Sequence, residues 1–297
     1  MSTLQAAAPR PATWRRRLYA LGPYLLLAPG LLWLFYFFVW PAFQMFLMAI
    51  SSGTLDTGFR ITGTLKPFSE ALTKFPTQWG NSLLYGAVST SLDFLIGFPV
   101  AYTIAFRGGR YKNLLLFLVI APFFTSFLIR TISWQILLGD EGPVLGFLKH
   151  TVAVLPIDFS ILYSPVAVIS GLTYNFLPFM ILPLYVALEK IDPQLFAASG
   201  DLYGSPWQTF RRVTFPLALP GVFAGTILTF IPTMGDYVNA ELLGSPKTRM
   251  IGNVIQGRFL QSTDYPVASA LSFVLMAGIL VAVLIYARAL GTEDLTG

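Results

Sequence analysis

Three ionisable side chains interrupt the long apolar runs of this chain: Asp93, Arg130 and Asp236. A charge held in hydrocarbon is expensive, so such residues face a cavity or a partner of opposite sign. Arg130 stands 18 residues beyond Lys112, about 27 Å along a helix rising ~1.5 Å per residue. Asp236 stands 16 residues beyond Pro220, about 24 Å by the same measure. Similar depth predicts that Arg130 and Asp236 pair or line one cavity; separate snorkelling to the interface is the alternative. Asp93 lies in mid-run, with Ser89, Thr90 and Ser91 close enough in sequence to satisfy it. Acceptors gather near Asp236: Tyr237, Asn239 and Glu241 follow it, and Tyr174 and Asn175 lie in the preceding apolar run. With the ring faces of Trp134 and Tyr237, this set suits a small cation, although both aromatics also fit a belt at the membrane interface. Arg130 speaks against a purely anionic cavity unless Asp236 neutralises it.

Other chemistry is excluded. No G-x-x-x-x-G-K-[ST] phosphate loop occurs, and Gly244-Ser-Pro-Lys247-Thr248 lacks its spacing. The chain therefore does not hydrolyse ATP by itself. There are 0 cysteines and 1 histidine, His150, so neither thiol chemistry nor a metal centre is expected. No H-E-x-x-H or G-x-S-x-G stands out.

The elements that must position the charges are membrane helices. The chain has 297 residues, 55% apolar and only 11% charged, with mean hydropathy +0.67, against roughly 25% charge in a soluble domain. Apolar runs at about 18–50, 81–106, 113–138, 161–188, 217–238 and 266–290 each have the ~20 residues needed to cross a bilayer. This predicts an all-α, polytopic fold of six transmembrane helices forming one domain over 18–290, with tails at 1–17 and 291–297. The net charge of +5 sits beside the runs and reports topology rather than nucleic-acid binding. Arg15-Arg16-Arg17 and the Arg107-to-Lys112 turn place both termini inside. The segments 51–79, 139–158 and 239–264 then lie outside, the middle one with an amphipathic piece around Pro143 to Val154.

The longest polar stretch on the inner side, Leu188 to Pro220, carries two helix starts. Asp192 can cap a helix beginning at Pro193 and ending at Gly204. Ser205 can cap a second helix, with Pro206 first and Gln208 at the capping-box position. Pro216 and Pro220 should stop that second helix before the fifth span. An amphipathic connector lying in the lipid interface would also read this way.

This stretch resembles the coupling loop of bacterial ABC importer permeases. Their pattern runs Glu-Ala-Ala, three residues, Gly, nine residues, then an aliphatic residue, any residue and Leu-Pro. The matching positions are Ala197, Ala198, Ser199, Tyr203, Phe215-Pro216-Leu217 and Leu219-Pro220-Gly221. Ala197 replaces the Glu, Ser199 the second Ala, and Tyr203 the Gly, with Gly204 one place later. The flanking residues, Asp201-Leu202 and Ser205 through Thr214, resemble the spermidine/putrescine branch of these permeases. So do Pro122 to Ser126 with Leu128-Ile129-Arg130 and Trp134, Tyr174 to Pro183, Gly235-Asp236-Tyr237, Leu242-Leu243-Gly244 and Met250 to Asn253.

The resemblance covers nearly the whole chain from Leu18 to Leu290. It implies a permease subunit of a binding-protein-dependent importer in the bacterial inner membrane, forming half of a route for a small cation, most closely spermidine or putrescine, by alternating access. It implies as partners a second similar permease, two ATPase subunits holding ATP and magnesium, an external binding protein and the bilayer, but no nucleic acid. No cofactor belongs to this chain. Ala197, Ala198, Ser199, Gly200, Asp201, Leu202, Tyr203, Gly204 and Ser205 would dock the ATPase. Asp93, Arg130, Trp134, Tyr174, Asn175, Asp236, Tyr237, Asn239 and Glu241 would line the route. The same machine carrying an amino acid or opine-like solute, and a secondary transporter or channel, remain as alternatives.

Overall fold

The computed structural model describes residues 26–143, 146 and 160–289. The predicted tails, His150 and most of the amphipathic piece after Pro143 lie outside these residues. The first helix, α1, spans Leu26–Ala49 and includes a wide π-helical turn at Phe35–Val39 that precedes Pro41. A small antiparallel hairpin follows, β1 (Ser51–Ser52) with β2 (Arg60–Ile61), pairing Ser51 with Ile61. Then come α2 (Lys66–Thr73) and the long α3 (Pro76–Arg107). The predicted third span is two limbs, α4 (Lys112–Ile120) and α5 (Phe127–Leu138). The fourth and fifth spans are α6 (Pro165–Glu189) and α8 (Pro206–Met234), separated by α7 (Gln194–Asp201). Two short helices, α9 (Val238–Leu243) and α10 (Ile251–Leu260), lead into α11 (Tyr265–Ala289).

Among the described residues, five helices are long and apolar enough to cross a membrane. The sixth expected span, 113–138, is not straight. A 3-10 turn at Ala121–Phe124 and an extended pair, Thr125 and Ser126, bend its two limbs by 92°. Pro122 supplies the reason: it cannot donate to the carbonyl one turn back, and its own carbonyl instead accepts from the Thr125 N–H at 3.1 Å. The fifth span also departs from expectation. Pro216 and Pro220 do not stop the helix begun at Ser205. A π-turn at Phe210–Thr214 widens the coil ahead of Pro216, and α8 runs on without interruption to Met234, four residues short of the expected end at 238.

The core lies where α3, α6 and α8 meet. Fully buried Ala101, Met180, Leu184, Leu188 and Ala218 form its centre. Small residues let the backbones approach, as in membrane bundles generally. Gly97 of α3 and Gly225 of α8 both rest on Met180, and Gly221 lies against the Pro183 carbonyl and Leu184 Cα of α6. Phe98 stacks edge-on with Phe210 at 5.6 Å, which ties the π-turn to α3. A second cluster, Ala49, Ala71, Ile251, Val267, Ala270 and Leu271, joins the end of α1 to α2, α10 and α11. Most of α1 is uncovered: Leu26, Trp33, Phe38 and their neighbours present their side chains to the surroundings. Lipid or protein must solvate that surface, because water cannot do so favourably.

A Cβ at position 221 would stand 2.6 Å from Ala187 Cβ and 2.7 Å from the Pro183 carbonyl. We expect Gly221→Val to force α6 and α8 apart at a cost of about 1–3 kcal/mol. A drop in the thermal midpoint of the purified protein checks this; an unchanged midpoint would mean that the α6–α8 contact yields freely.

Candidate functional site

Two regions bring the chemistry-bearing residues together, one at each end of α6. At the α7 end the chain makes a tight helical hairpin. The Asp192 carboxylate accepts the Gln194 N–H at 2.9 Å and starts α7. The Ser205 hydroxyl accepts from the Gln208 N–H, and the Gln208 side-chain oxygen accepts from the Ser205 N–H at 2.9 Å, so the expected capping box is formed. The Ser199 and Thr209 hydroxyls bond across the hairpin at 2.7 Å, and Phe196 packs on Phe106 of α3. Ala197, Ala198, Gly200, Asp201 and Ser205 are exposed, with Ser199 and Gly204 partly covered. Leu202 and Tyr203 are 83% and 97% exposed, and Trp207 stacks on Phe210 with one face open.

Tyr203 has φ +57°, the left-handed region in which a Cβ is costly by about 1–2 kcal/mol. A glycine would sit there without strain, which accounts physically for the glycine that the resembled pattern has at this place. Gly204 answers a different demand: a Cβ on it would lie 2.6 Å from Ser199 Oγ and 2.7 Å from the Ser199 carbonyl. Lys112 is paired with Glu189 where α4 meets the end of α6.

Along α6 runs a groove made of two clefts that share Phe179. One, of about 660 Å³, lies between α6 and α8 and is lined by Pro183, Val186, Lys190, Leu217, Pro220 and Gly221, among others. The other, of about 460 Å³, sits in the bend of the broken span, with Phe123, Phe124, Phe127, Arg130, Asn175 and Phe176 in its wall. Arg130 is 7% exposed. Its guanidinium carbon lies 5.0 Å from the ring centroid of Phe123 and 5.7 Å from that of Phe127.

Behind Arg130 a buried hydrogen-bond chain joins three elements. Asp236 Oδ1 accepts from the Asn239 N–H at 2.8 Å and Oδ2 from Asn239 Nδ2 at 3.2 Å. Asn239 Oδ1 accepts from Asn175 Nδ2 at 3.1 Å and from the Thr131 hydroxyl at 3.4 Å. The bent span, α6 and the start of α9 are thereby locked together. Gly171 completes the fit, because a Cβ there would meet Leu243 Cδ1 at 2.3 Å and Asn239 Oδ1 at 2.8 Å.

The expected Arg130–Asp236 pair is not formed. Both Asp236 oxygens accept from Asn239, and the two residues are linked only indirectly, through Asn239 and then Thr131, the chain neighbour of Arg130. Asn175, Asn239 and Asp236 do come together as the acceptor cluster predicts. Tyr237 is exposed, and Glu241 is bound to the Asn253 amide at 3.0 Å rather than aimed at the cluster. Trp134 and Tyr174 lie against each other at 5.4 Å, and Tyr174 turns to a different cleft between α3, α4 and α6. Asp93 is fully buried on the face of α3 toward α6 and α8 and lines none of these clefts. Ser91 bonds the Ala87 carbonyl instead of Asp93, and neither Ser89 nor Thr90 supplies a partner among the described residues. Sequence reasoning passed over Thr131, Lys190 and the phenylalanines of the Arg130 cleft. The Phe123-Phe124 pair beside Pro122 was the available signal, since a break in an apolar run exposes its aromatic flanks to whatever fills the bend.

The profile of the family described as "Binding-protein-dependent transport system inner membrane component" matches residues 94–289. The chain is 37% identical over 261 residues to the spermidine/putrescine transport system permease protein PotB of Haemophilus influenzae, covering 86% of this chain and 90% of that one. It is 39% identical to PotB of Escherichia coli, covering 70% and 76% of the two chains. It is 34% identical to the E. coli inner membrane ABC transporter permease protein YdcU, covering 72% and 71%. Among solved structures, a bacterial ABC transporter involved in import of the acidic polysaccharide alginate superposes with TM-score 0.70 at 19% identity, covering 96% and 99%. The MetNI methionine ABC transporter superposes with TM-score 0.54 at 21% identity, covering 76% and 99%. These two likenesses concern the fold.

Removing one amide of the buried chain leaves the others unsatisfied, so Asn175→Ala and Asn239→Ala should each destabilise by about 1–3 kcal/mol. The double variant should fall short of their sum by at least ~0.5 kcal/mol. A double-mutant cycle on thermal or denaturant unfolding checks this, and strict additivity would show that the two amides do not act as one unit.

Proposed function

The chain belongs to the family of binding-protein-dependent transport system inner membrane components, and from that membership we propose that it forms half of the route by which an ATP-driven importer carries spermidine or putrescine across the bacterial inner membrane. The observation that carries the solute assignment is the extent of its identity with the PotB proteins, which spans most of both chains. The second half of the route is a similar permease, ATP and magnesium are held by two separate ATPase subunits, and an external binding protein delivers the solute. The α7 end faces the cytoplasm, as does each terminus. Arg107, Arg110, Lys112, Lys190, Arg211 and Arg212 stand at that end, on the side where short basic segments are retained.

In this mechanism the exposed hairpin from Ala197 to Ser205, with Trp207 beside it, docks into the ATPase. Closure of the ATPases shifts the hairpin, and the shift passes directly into α8 because Pro206–Met234 is one helix. Movement of α8 against α6 opens and closes the cleft between them, from Lys190 to Phe179, where the Arg130 cleft begins. A secondary transporter would have no use for such a surface. One observation favours a different solute on the same machine: Arg130 gives the cleft a cation and no carboxylate lines it, which suits the carboxylate of an amino acid or opine-like compound. Solute-stimulated ATPase activity of the reconstituted complex, measured across polyamines, amino acids and opines, decides between the two.

Tyr203→Gly should leave the hairpin folded, because glycine accepts the left-handed backbone. It should nonetheless cut solute-stimulated ATPase activity about tenfold or more by removing an exposed aromatic anchor. Full stimulation in this variant would remove Tyr203 from the docking surface, and full stimulation in Trp207→Ala as well would remove the hairpin.

A further inference from the structure

The cleft in the bend of the third span carries a cation in its own wall, Arg130. The Arg130 side chain is 7% exposed, and its Nε and Nη1 meet no acceptor among the described residues. Ring faces hold it, those of Phe123 at 5.0 Å and Phe127 at 5.7 Å. Asn175 lines the same cleft, and its Oδ1 is also without a partner. The Nδ2 of that amide is committed to Asn239 and Thr131, which fixes which way the amide faces and leaves Oδ1 as a spare acceptor. Two phenyl faces and an amide oxygen are what an alkylammonium group requires: π-density for its charge and a lone pair for an N–H. Phe176 and Phe179 continue the wall and suit the methylene chain on which such an ammonium is carried.

The rings cannot serve a guanidinium and an ammonium at once. We propose that Arg130 is a tethered stand-in for an ammonium group of the solute: it covers Phe123 and Phe127 while the cleft is empty, and the solute binds by displacing it. The inference rests on the polyamine reading above and adds a selectivity rule to it. A solute must bring its own cation to win the rings, and Arg130 returns to them when the solute leaves, which keeps binding weak enough for release. Arg130 is thus a specificity residue that opposes the ligand it selects.

The test uses the complete importer, with its partner permease and ATPases, purified without the binding protein. Binding of labelled spermidine is measured for wild type, Arg130→Gln and Arg130→Lys, with thermal midpoints recorded to confirm assembly. Loss of the competing charge should lower the Kd about 2- to 30-fold in Arg130→Gln. Arg130→Lys, which returns a cation to the rings, should stay within about twofold of wild type. Phe127→Leu, which removes a face from both competitors, should bind no more tightly than wild type. Equal affinity in wild type and Arg130→Gln, including no binding in either, or weaker binding in Arg130→Gln, overturns the stand-in. Uptake by wild-type proteoliposomes with the binding protein is scored separately. If the intact system imports no polyamine, the proposed function fails; if it imports polyamine but the Arg130→Gln shift is missing, only this inference fails.

Discussion

The amide of Asn239 is the contact on which one end of this molecule depends. It donates to Asp236 and accepts from Asn175 and Thr131, so a single side chain satisfies groups from the bent span, from α6 and from the turn after α8. In hydrocarbon no water stands ready to replace a lost partner, and a network of this kind holds as a unit. It explains how a span bent by 92° can keep its shape. It also explains why both oxygens of Asp236 are held by Asn239 near the start of α9.

At the other end α3, α6 and α8 meet through apolar contacts. They approach through Gly97, Gly221 and Gly225, and the contacts are those of methionine and leucine against backbone. The two ends therefore respond differently to strain. The apolar end can slide, because dispersion contacts are interchangeable over small shifts. The polar end cannot slide without breaking directional bonds. The two clefts that share Phe179 therefore differ: one is walled by the bent span beside the anchored Asn175, the other by α8 along α6.

Hydropathy and helix-start chemistry carried much of the architecture. The runs of apolar residues overlap the long apolar helices, and Ser205 with Gln208 located a helix start to the residue, since both signals are local. The failures came where the outcome depended on neighbours. Pro216 and Pro220 read as stops because proline removes a hydrogen bond, yet a π-turn ahead of them absorbed the mismatch while Phe210 packed on Phe98. Residues 239–264 read only as an external segment, and their polarity did not announce that α9 and α10 form there with Leu243, Met250 and Ile251 buried and the Ile251 N–H held by Ser82 of α3. Equal depth suggested that Arg130 and Asp236 would meet. Depth says nothing about azimuth, and they point into different environments. Asp93 was visible as an anomaly, but its lack of a local partner was not, because Ser89 and Thr90 are near in sequence without being bonded to it.

The π-turn at Phe210–Thr214 sets the angular phase of α8. An ordinary helix advances about 100° per residue, and a wide turn holds one residue more than the coil around it. Everything before the turn, including the hairpin from Ala197 to Ser205, is therefore keyed to a particular azimuth relative to the face that α8 presents to α6. Loss of one residue within 210–214 would close the wide turn to an ordinary one and remove the slack ahead of Pro216, so the course of α8 and the contact of Phe210 with Phe98 would both have to readjust. In this region chain length is itself under constraint, independently of which residues fill it.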